Sequence, residues 1–193
     1  MNNDLLRNLC YLLPIVPGGI LNMAFVKKTK FLQSLSKPLD GGLVLSDGKR
    51  LFGANKTWKG VIGMIVFTAI CTIVLNIFPD QSAAFRSGRS LNDIPYEGLY
   101  GALLGLAYAL AELPNSFIKR RLDIAPGKNA TGIKGILFTV IDQADSIIGG
   151  AIVISLYTPL SSYHFWQLVL VASAIHYAIN VLLYFVRLKS QAG

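Results

Sequence analysis

The chain has 193 residues, 53% of them hydrophobic and only 15% charged, with a mean hydropathy of +0.52. Soluble domains carry charge on about a quarter of their residues. This balance therefore excludes an ordinary soluble domain, as well as a disordered or collagen-like chain, and indicates an integral membrane protein. The formal net charge of +8 fits both cytoplasmic loops rich in Lys and Arg and a basic surface for anionic partners.

Roughly 20 apolar residues make a helix that crosses the hydrocarbon layer. Five blocks qualify: Leu5 to Val26, Gly60 to Phe78, Tyr96 to Leu113, Ile133 to Tyr157 and His164 to Val186. The first is interrupted by Pro14, Pro17, Gly18 and Gly19, and its single cation, Arg7, is outnumbered by the cluster after it. It reads as a retained, kinked anchor rather than a secretory signal peptide. Asn22 and the backbone groups freed at such a break need partners from neighbouring helices or a water-filled cavity, so the break suggests a site.

Between the first two blocks, residues 27–59 form a long basic loop with Lys27, Lys28, Lys30, Lys37, Lys49, Arg50, Lys56 and Lys59 against Asp40 and Asp47. The third connection carries Lys119, Arg120, Arg121, Lys128 and Lys134, and the tail carries Arg187 and Lys189. If spans alternate, fifteen of the eighteen cations fall on one side, which is then the cytoplasm, and Arg7, Arg86 and Arg89 fall on the other. The expected fold class is an all-α integral membrane protein, one domain over 1–193. About five transmembrane helices are expected, with the N-terminus outside and the C-terminus cytoplasmic. No internal repeat or low-complexity segment is present. Gly101 and Gly105 at GxxxG spacing, with Ala109 a turn later, would let a neighbouring helix approach closely. Cys10 and Cys71 lie inside apolar blocks, as small core residues do.

Charged groups within the hydrocarbon region are expensive and usually face a cavity or a pathway. Glu112 ends the third block. Asp142 and Asp145 lie 8 and 11 residues past Lys134 in the fourth, about 12 to 17 Å along a helix at its ordinary rise. Their spacing of three puts both carboxylates on one face. Two such oxygen ligands suit a Mg²⁺ ion bound together with substrate phosphates. A buried hydrogen-bonded pair, a salt bridge to Lys119 or Arg120, and an ion pathway are the other readings of the same pair.

The loop run from Asp47 to Gly60 alternates Gly48, Gly53 and Gly60 with Lys49, Arg50, Lys56 and Lys59, around Asn55, Thr57 and Trp58. Glycines let backbone amides approach an anion and lysines supply point charges. The run lacks the Walker A register and could equally lie on anionic headgroups. After the third block, Ser116, Lys119 and Arg120 fall on one side of a helix, as a phosphate site or as a cationic anchor at the membrane surface. A divalent-metal pair, a glycine-lysine loop and a cationic helix end on one side of one membrane point together to polyphosphate chemistry.

These residues resemble a known family. Pro38-Leu-Asp40-x-Gly42, Asp47-Gly-Lys-Arg-x-x-Gly53, Lys56-Thr-Trp-Lys-Gly60 and Asp142-Gln-Ala-Asp145 are similar, in order and approximate spacing, to blocks of the CDP-archaeol synthases. Those enzymes belong with the CTP:phosphatidate cytidylyltransferases, and Ser116-x-x-Lys119-Arg120 is similar to the start of their signature. The resemblance spans most of the chain. The bacterial phosphatidate signature continues with His-Gly-Gly, where this chain has Gly132-Ile-Lys-Gly135 without a histidine.

The resemblance implies transfer of CMP from CTP to a lipid phosphate in the cytoplasmic leaflet of the cell membrane, with release of pyrophosphate. The acceptor would be an unsaturated diether of the 2,3-bis-O-geranylgeranylglycerol 1-phosphate type, or phosphatidate. Mg²⁺ would sit at Asp142 and Asp145, with Lys119 beside them in catalysis. Lys49, Arg50, Lys56 and Lys59 would hold the triphosphate, and Ser116 and Arg120 would position a phosphate. Asp47, Asn55, Thr57 and Asn22 would complete the substrate site, and nucleic acid is not an expected partner. A CTP-dependent polyprenol kinase and a small transporter using the two aspartates are the alternatives. The D-x-x-D-G signature of CDP-alcohol phosphotransferases fails at Ser146.

Overall fold

The computed structural model describes residues 3–77, 94–128 and 130–187. Helices α1 (Asn3–Leu12), α2 (Ile15–Lys28), α3 (Trp58–Ile77), α4 (Ile94–Arg121), α5 (Gly132–Tyr157) and α6 (Ser162–Phe185) follow in order, with a short 3₁₀ turn at Gln33–Ser36. Taking α1 and α2 together, five helical stretches are long and apolar enough to cross a membrane. Among the described residues the only β pairing is two isolated bridges, Pro38 with Thr57 and Val44 with Arg50. Arg86, Arg89 and Lys189, used above to argue orientation, lie outside the described residues.

The first span is broken where expected. Pro14 is fully buried at the α1–α2 junction, and neither Pro14 nor Pro17 has an N–H to continue the ladder. The amide of Leu13 instead reaches Cys10 O at 3.1 Å, and that of Gly18 reaches Pro14 O at 3.1 Å. Asn22, one turn below, donates its side-chain amide to Gly60 O at 2.9 Å, tying α2 to the start of α3.

The third span runs further than its hydropathy suggests. It continues through Pro114 to Arg121, so Glu112 lies within the helix instead of closing it. Lys119, Arg120 and Arg121 occupy its last turn, where cations face the negative end of the helix dipole. This extension puts Glu112, Asn115, Ser116 and Lys119 on one continuous helical face.

The bundle core is made by Leu12, Ile15, Met64, Tyr100, Leu104, Ile147, Ala151, Ile154 and Leu168. Large apolar side chains such as Val66, Val140, Leu156 and Leu170 point outward, as a surface in contact with lipid requires. Gly101 and Gly105 seat α4 directly on α3: a Cβ at Gly101 would lie 2.7 Å from Ala69 Cα, and one at Gly105 2.5 Å from Met64 O. Real Cβ atoms do not come that close, so Gly105→Leu must push the two helices apart. Overpacking of this kind destabilises by about 1–3 kcal/mol or more. A clear fall in the thermal midpoint of purified protein in detergent is expected, and an unchanged midpoint would mean the two helices are not in this contact.

The loop from Thr29 to Thr57 is folded back on itself around Asp40, whose side chain is fully buried. One carboxylate oxygen accepts from Gly42 N at 2.9 Å and Arg50 Nη2 at 2.6 Å, and the other from Phe52 N at 3.0 Å. Burial alone would raise the Asp40 pKa, but the Arg50 guanidinium and the two amides outweigh it and hold the carboxyl below its usual value. A depressed native pKa contributes stability that is fully present above the unfolded value, about 3.9 for Asp. That stability is lost as pH falls through the lower native pKa. Asp40→Ala should loosen residues 40–52 by about 1–3 kcal/mol, the penalty for stranding buried donors. Hydrogen exchange at neutral pH reads this directly: amides of Gly42 and Phe52 should exchange faster in the variant, and equal rates would contradict the anchor.

Candidate active site

A cavity of about 720 Å³ opens among the six helices, with loop residues in its lining. Part of the lining is polar. There α4 contributes Glu112, Asn115, Ser116, Lys119 and Arg120, α5 contributes Asp142 and Asp145, and the loop contributes Asn55, Lys56 and Thr57. Another part is apolar, made by Leu9 and Leu13, by Val16 and Ile20 of α2, and by Ile175, Ile179 and Leu183 of α6. Gly19 and Asn22 line the cavity as well, whereas Pro14 and Gly18 do not. Gly18 is pressed against α3, where an added Cβ would lie 2.7 Å from Thr68 Oγ1.

The polar part is a network of opposite charges. Lys119 Nζ lies 2.5 Å from each oxygen of Asp142. Asn115 Nδ2 donates to Asp142 Oδ1 at 2.6 Å and to Asp145 Oδ2 at 2.8 Å, so one amide spans both carboxylates. Asp145 Oδ1 also accepts from Ser146 N at 2.6 Å. Lys56 pairs with Glu112 across the cavity. Burial disfavours its ammonium, but Glu112, with Asp145 and Asp142 behind it, outweighs that and raises the Lys56 pKa above normal. Lys56 is thus a fixed positive charge on the cavity wall at any physiological pH.

The aspartate pair fits a divalent cation in its donor chemistry. No cluster of three or more Asp, Glu, His or Cys residues with metal-holding geometry occurs among the described residues. The pair is joined, however, by the buried Asn115, whose Oδ1 has no hydrogen-bond partner. Two carboxylates and one amide oxygen suit an ion that takes few protein ligands and completes its shell with water and phosphate oxygens. Arg120 is also buried in the cavity wall, with Nε and Nη1 unpartnered, a guanidinium with its fork still open to an anion.

Several expected site residues lie off the cavity. Lys49 Nζ bonds Arg121 O at 2.8 Å and Asp123 Oδ2 at 2.7 Å. Arg50 pairs with Asp40, and Asp47 with Arg121 at 3.1 Å. Lys59 is 1% exposed, donating to Thr29 O at 2.8 Å over the Phe25 ring. Lys49, Arg50 and Lys59, expected at the triphosphate, are thus not among the residues that line the cavity. Buried carboxylates and helix-end carbonyls compete for the same cations: Lys49 fastens the loop to the end of α4, Arg50 holds the loop on itself through Asp40, and Lys59 ties the start of α3 to the end of α2. Ser116 has a mixed position, lining the cavity while its Oγ accepts the buried amide of Gly53 at 3.0 Å.

Asn115 and the Lys56–Glu112 pair were not assigned from sequence. Asn115 is three residues after Glu112 and four before Lys119, a same-face spacing that could have found it once α4 was known to pass Pro114. His176 and Asn180 line the cavity but are engaged within the bundle: Asn180 donates to Gln143 Oε1 at 2.6 Å, and His176 contacts Gln143 O at 3.3 Å.

Comparison with known proteins places this arrangement. The family model of CarS-like CDP-archaeol synthases matches residues 2–192. The CDP-archaeol synthase of Thermococcus kodakarensis is 31% identical over 172 residues, covering 89% of this chain and 91% of its own. That of Pyrococcus furiosus is 28% identical over 181 residues, covering 89% and 92%. A solved intramembrane enzyme of archaeal membrane lipid biosynthesis shares the fold, with a TM-score of 0.55 at 22% identity over 85% of this chain and 91% of that one. With a family match running almost from end to end, the chain belongs to the CDP-archaeol synthase family.

Proposed function

We propose that the cavity transfers CMP from CTP to the phosphate of a membrane lipid of the CDP-archaeol precursor type, releasing pyrophosphate. The observation that carries this reading is the cavity's two-sided chemistry. Acids and cations, Asp142, Asp145, Glu112, Lys56, Lys119 and Arg120 among them, make up one part of the lining, and apolar side chains of α1, α2 and α6 make up another. A water-soluble triphosphate suits the first and lipid tails suit the second.

In this reading Asp142, Asp145 and the Asn115 amide oxygen would hold Mg²⁺. That ion supplies neutralisation of charge on the phosphoryl oxygens during in-line displacement. Lys56, Lys119 and Arg120 bind the triphosphate, and Asn55 and Thr57 border the nucleotide. Asn22 lines the cavity with its side-chain oxygen unpartnered and would orient the acceptor's headgroup. A phosphate monoester is already an anionic nucleophile near neutral pH, so no side chain is needed as general base. The orientation follows from the charge bias: the polar part faces the cytoplasmic leaflet of the cell membrane, the N-terminus lies outside and the C-terminus lies inside.

Purified protein in detergent should release pyrophosphate only when Mg²⁺, CTP and a lipid phosphate are all present. Diether phosphate should be used in preference to diacyl phosphate. Lipid movement without nucleotide consumption would instead favour a transporter.

A further inference from the structure

Lys119 occupies the place a cation would need. Its ammonium grips both oxygens of Asp142 at 2.5 Å, and the Asn115 amide points its N–H groups at both aspartates. A divalent ion on the same carboxylate would sit against that ammonium, two cations sharing one anion. A metal entering between Asp142 and Asp145 is therefore opposed until Lys119 moves away, and the Asn115 amide must turn if Oδ1 is to face inward.

Lys119 has nowhere favourable to go on its own. It is a mostly buried side chain, 14% exposed, and once a metal takes Asp142 and Asp145 the charges left in the cavity lining are Glu112, which Lys56 already holds, and the cations Lys27, Lys56, Arg120 and Lys128. Moving an ammonium from a carboxylate towards like charges is unfavourable. A triphosphate in the cavity reverses that: it offers Lys119 a new anionic partner while contributing its own oxygens to the metal.

We propose that Lys119 is a built-in counter-ion that makes metal binding conditional on nucleotide. The metal and CTP are then coupled ligands, each raising the affinity for the other. This rests on the metal assignment above, and it adds that Lys119 holds the aspartate pair closed to a metal arriving alone.

Equilibrium dialysis of the full-length protein against Mn²⁺, without lipid, tests this, with CTP absent or present on both sides of the membrane. For the wild type, CTP should raise protein-bound Mn²⁺ affinity about tenfold or more, in the ordinary range of coupling between sites. Lys119→Met, and the closer isostere Lys119→Gln, should bind Mn²⁺ alone about tenfold more tightly than wild type and show a much smaller response to CTP. Two variants guard against misfolding of one, and gel filtration confirms that each is folded. Mn²⁺ affinity without CTP that is unchanged or weaker in both folded variants overturns the counter-ion role while leaving the metal site standing. Mn²⁺ binding that survives Asp142→Asn in the Lys119→Met background overturns the metal assignment itself and the proposal with it.

Discussion

Asp145→Asn is expected to reduce turnover by about 10³-fold or more while leaving a folded, dispersible protein. The carboxylate faces the cavity and accepts from Asn115 and Ser146, all of which an asparagine can partly preserve because it keeps the shape. What it loses is the charge. A metal's contribution to charge stabilisation is several kcal/mol, and each 1.36 kcal/mol is about a factor of ten in rate. Steady-state pyrophosphate release, together with gel filtration and a thermal midpoint in detergent, separates lost chemistry from lost fold. More than a tenth of wild-type turnover in a folded variant would remove Asp145 from the metal site.

Lys56→Met should raise KM for CTP by about 10- to 100-fold, because a hydrogen bond between charged groups contributes about 1.5–3 kcal/mol. Lys49→Ala, only seven positions away in the same loop, should stay within about threefold of wild type. The structure commits Lys49 to Arg121 O and Asp123, while Lys56 stands in the cavity against Glu112. CTP titrations of the two variants side by side give the comparison. If Lys49→Ala weakened CTP as severely as Lys56→Met, the loop would not dock on α4 in this way.

That contrast shows where the sequence stops being legible. Asp142 and Asp145 could be placed on one face of one helix because a spacing of three fixes it locally, and the span count follows from hydropathy alone. Lys49, Arg50, Lys56 and Lys59 are indistinguishable by composition and neighbouring glycines. Only tertiary partners sort them: Asp40 claims Arg50, the end of α4 claims Lys49, and Thr29 at the end of α2 claims Lys59. Asn115 was invisible for a similar reason, since its role lies in bridging α4 to α5. A helix carrying Ser116, Lys119 and Arg120 was expected after the third block, but its unbroken continuity with that block through Pro114 was not. A proline reads as a stop, yet here the helix continues to Arg121, carrying Asn115, Ser116 and Lys119 to the aspartates.

The break in the first span was visible, but its use was only half so. Pro14 and Gly18 serve packing, with Gly18 pressed on Thr68, while Gly19 and Asn22 on the following turn reach the cavity. Which face of a broken apolar helix turns inward depends on its neighbours, α3 on one side and the cavity on the other.

The chemistry is tested most directly by following the phosphates of CTP. With CTP labelled at the α-phosphorus, Mg²⁺ and a diether lipid phosphate, label should pass to the lipid, and with γ-labelled CTP it should appear in pyrophosphate. Lipid carrying the γ label, with CDP as the other product, would identify a kinase and contradict cytidylyl transfer.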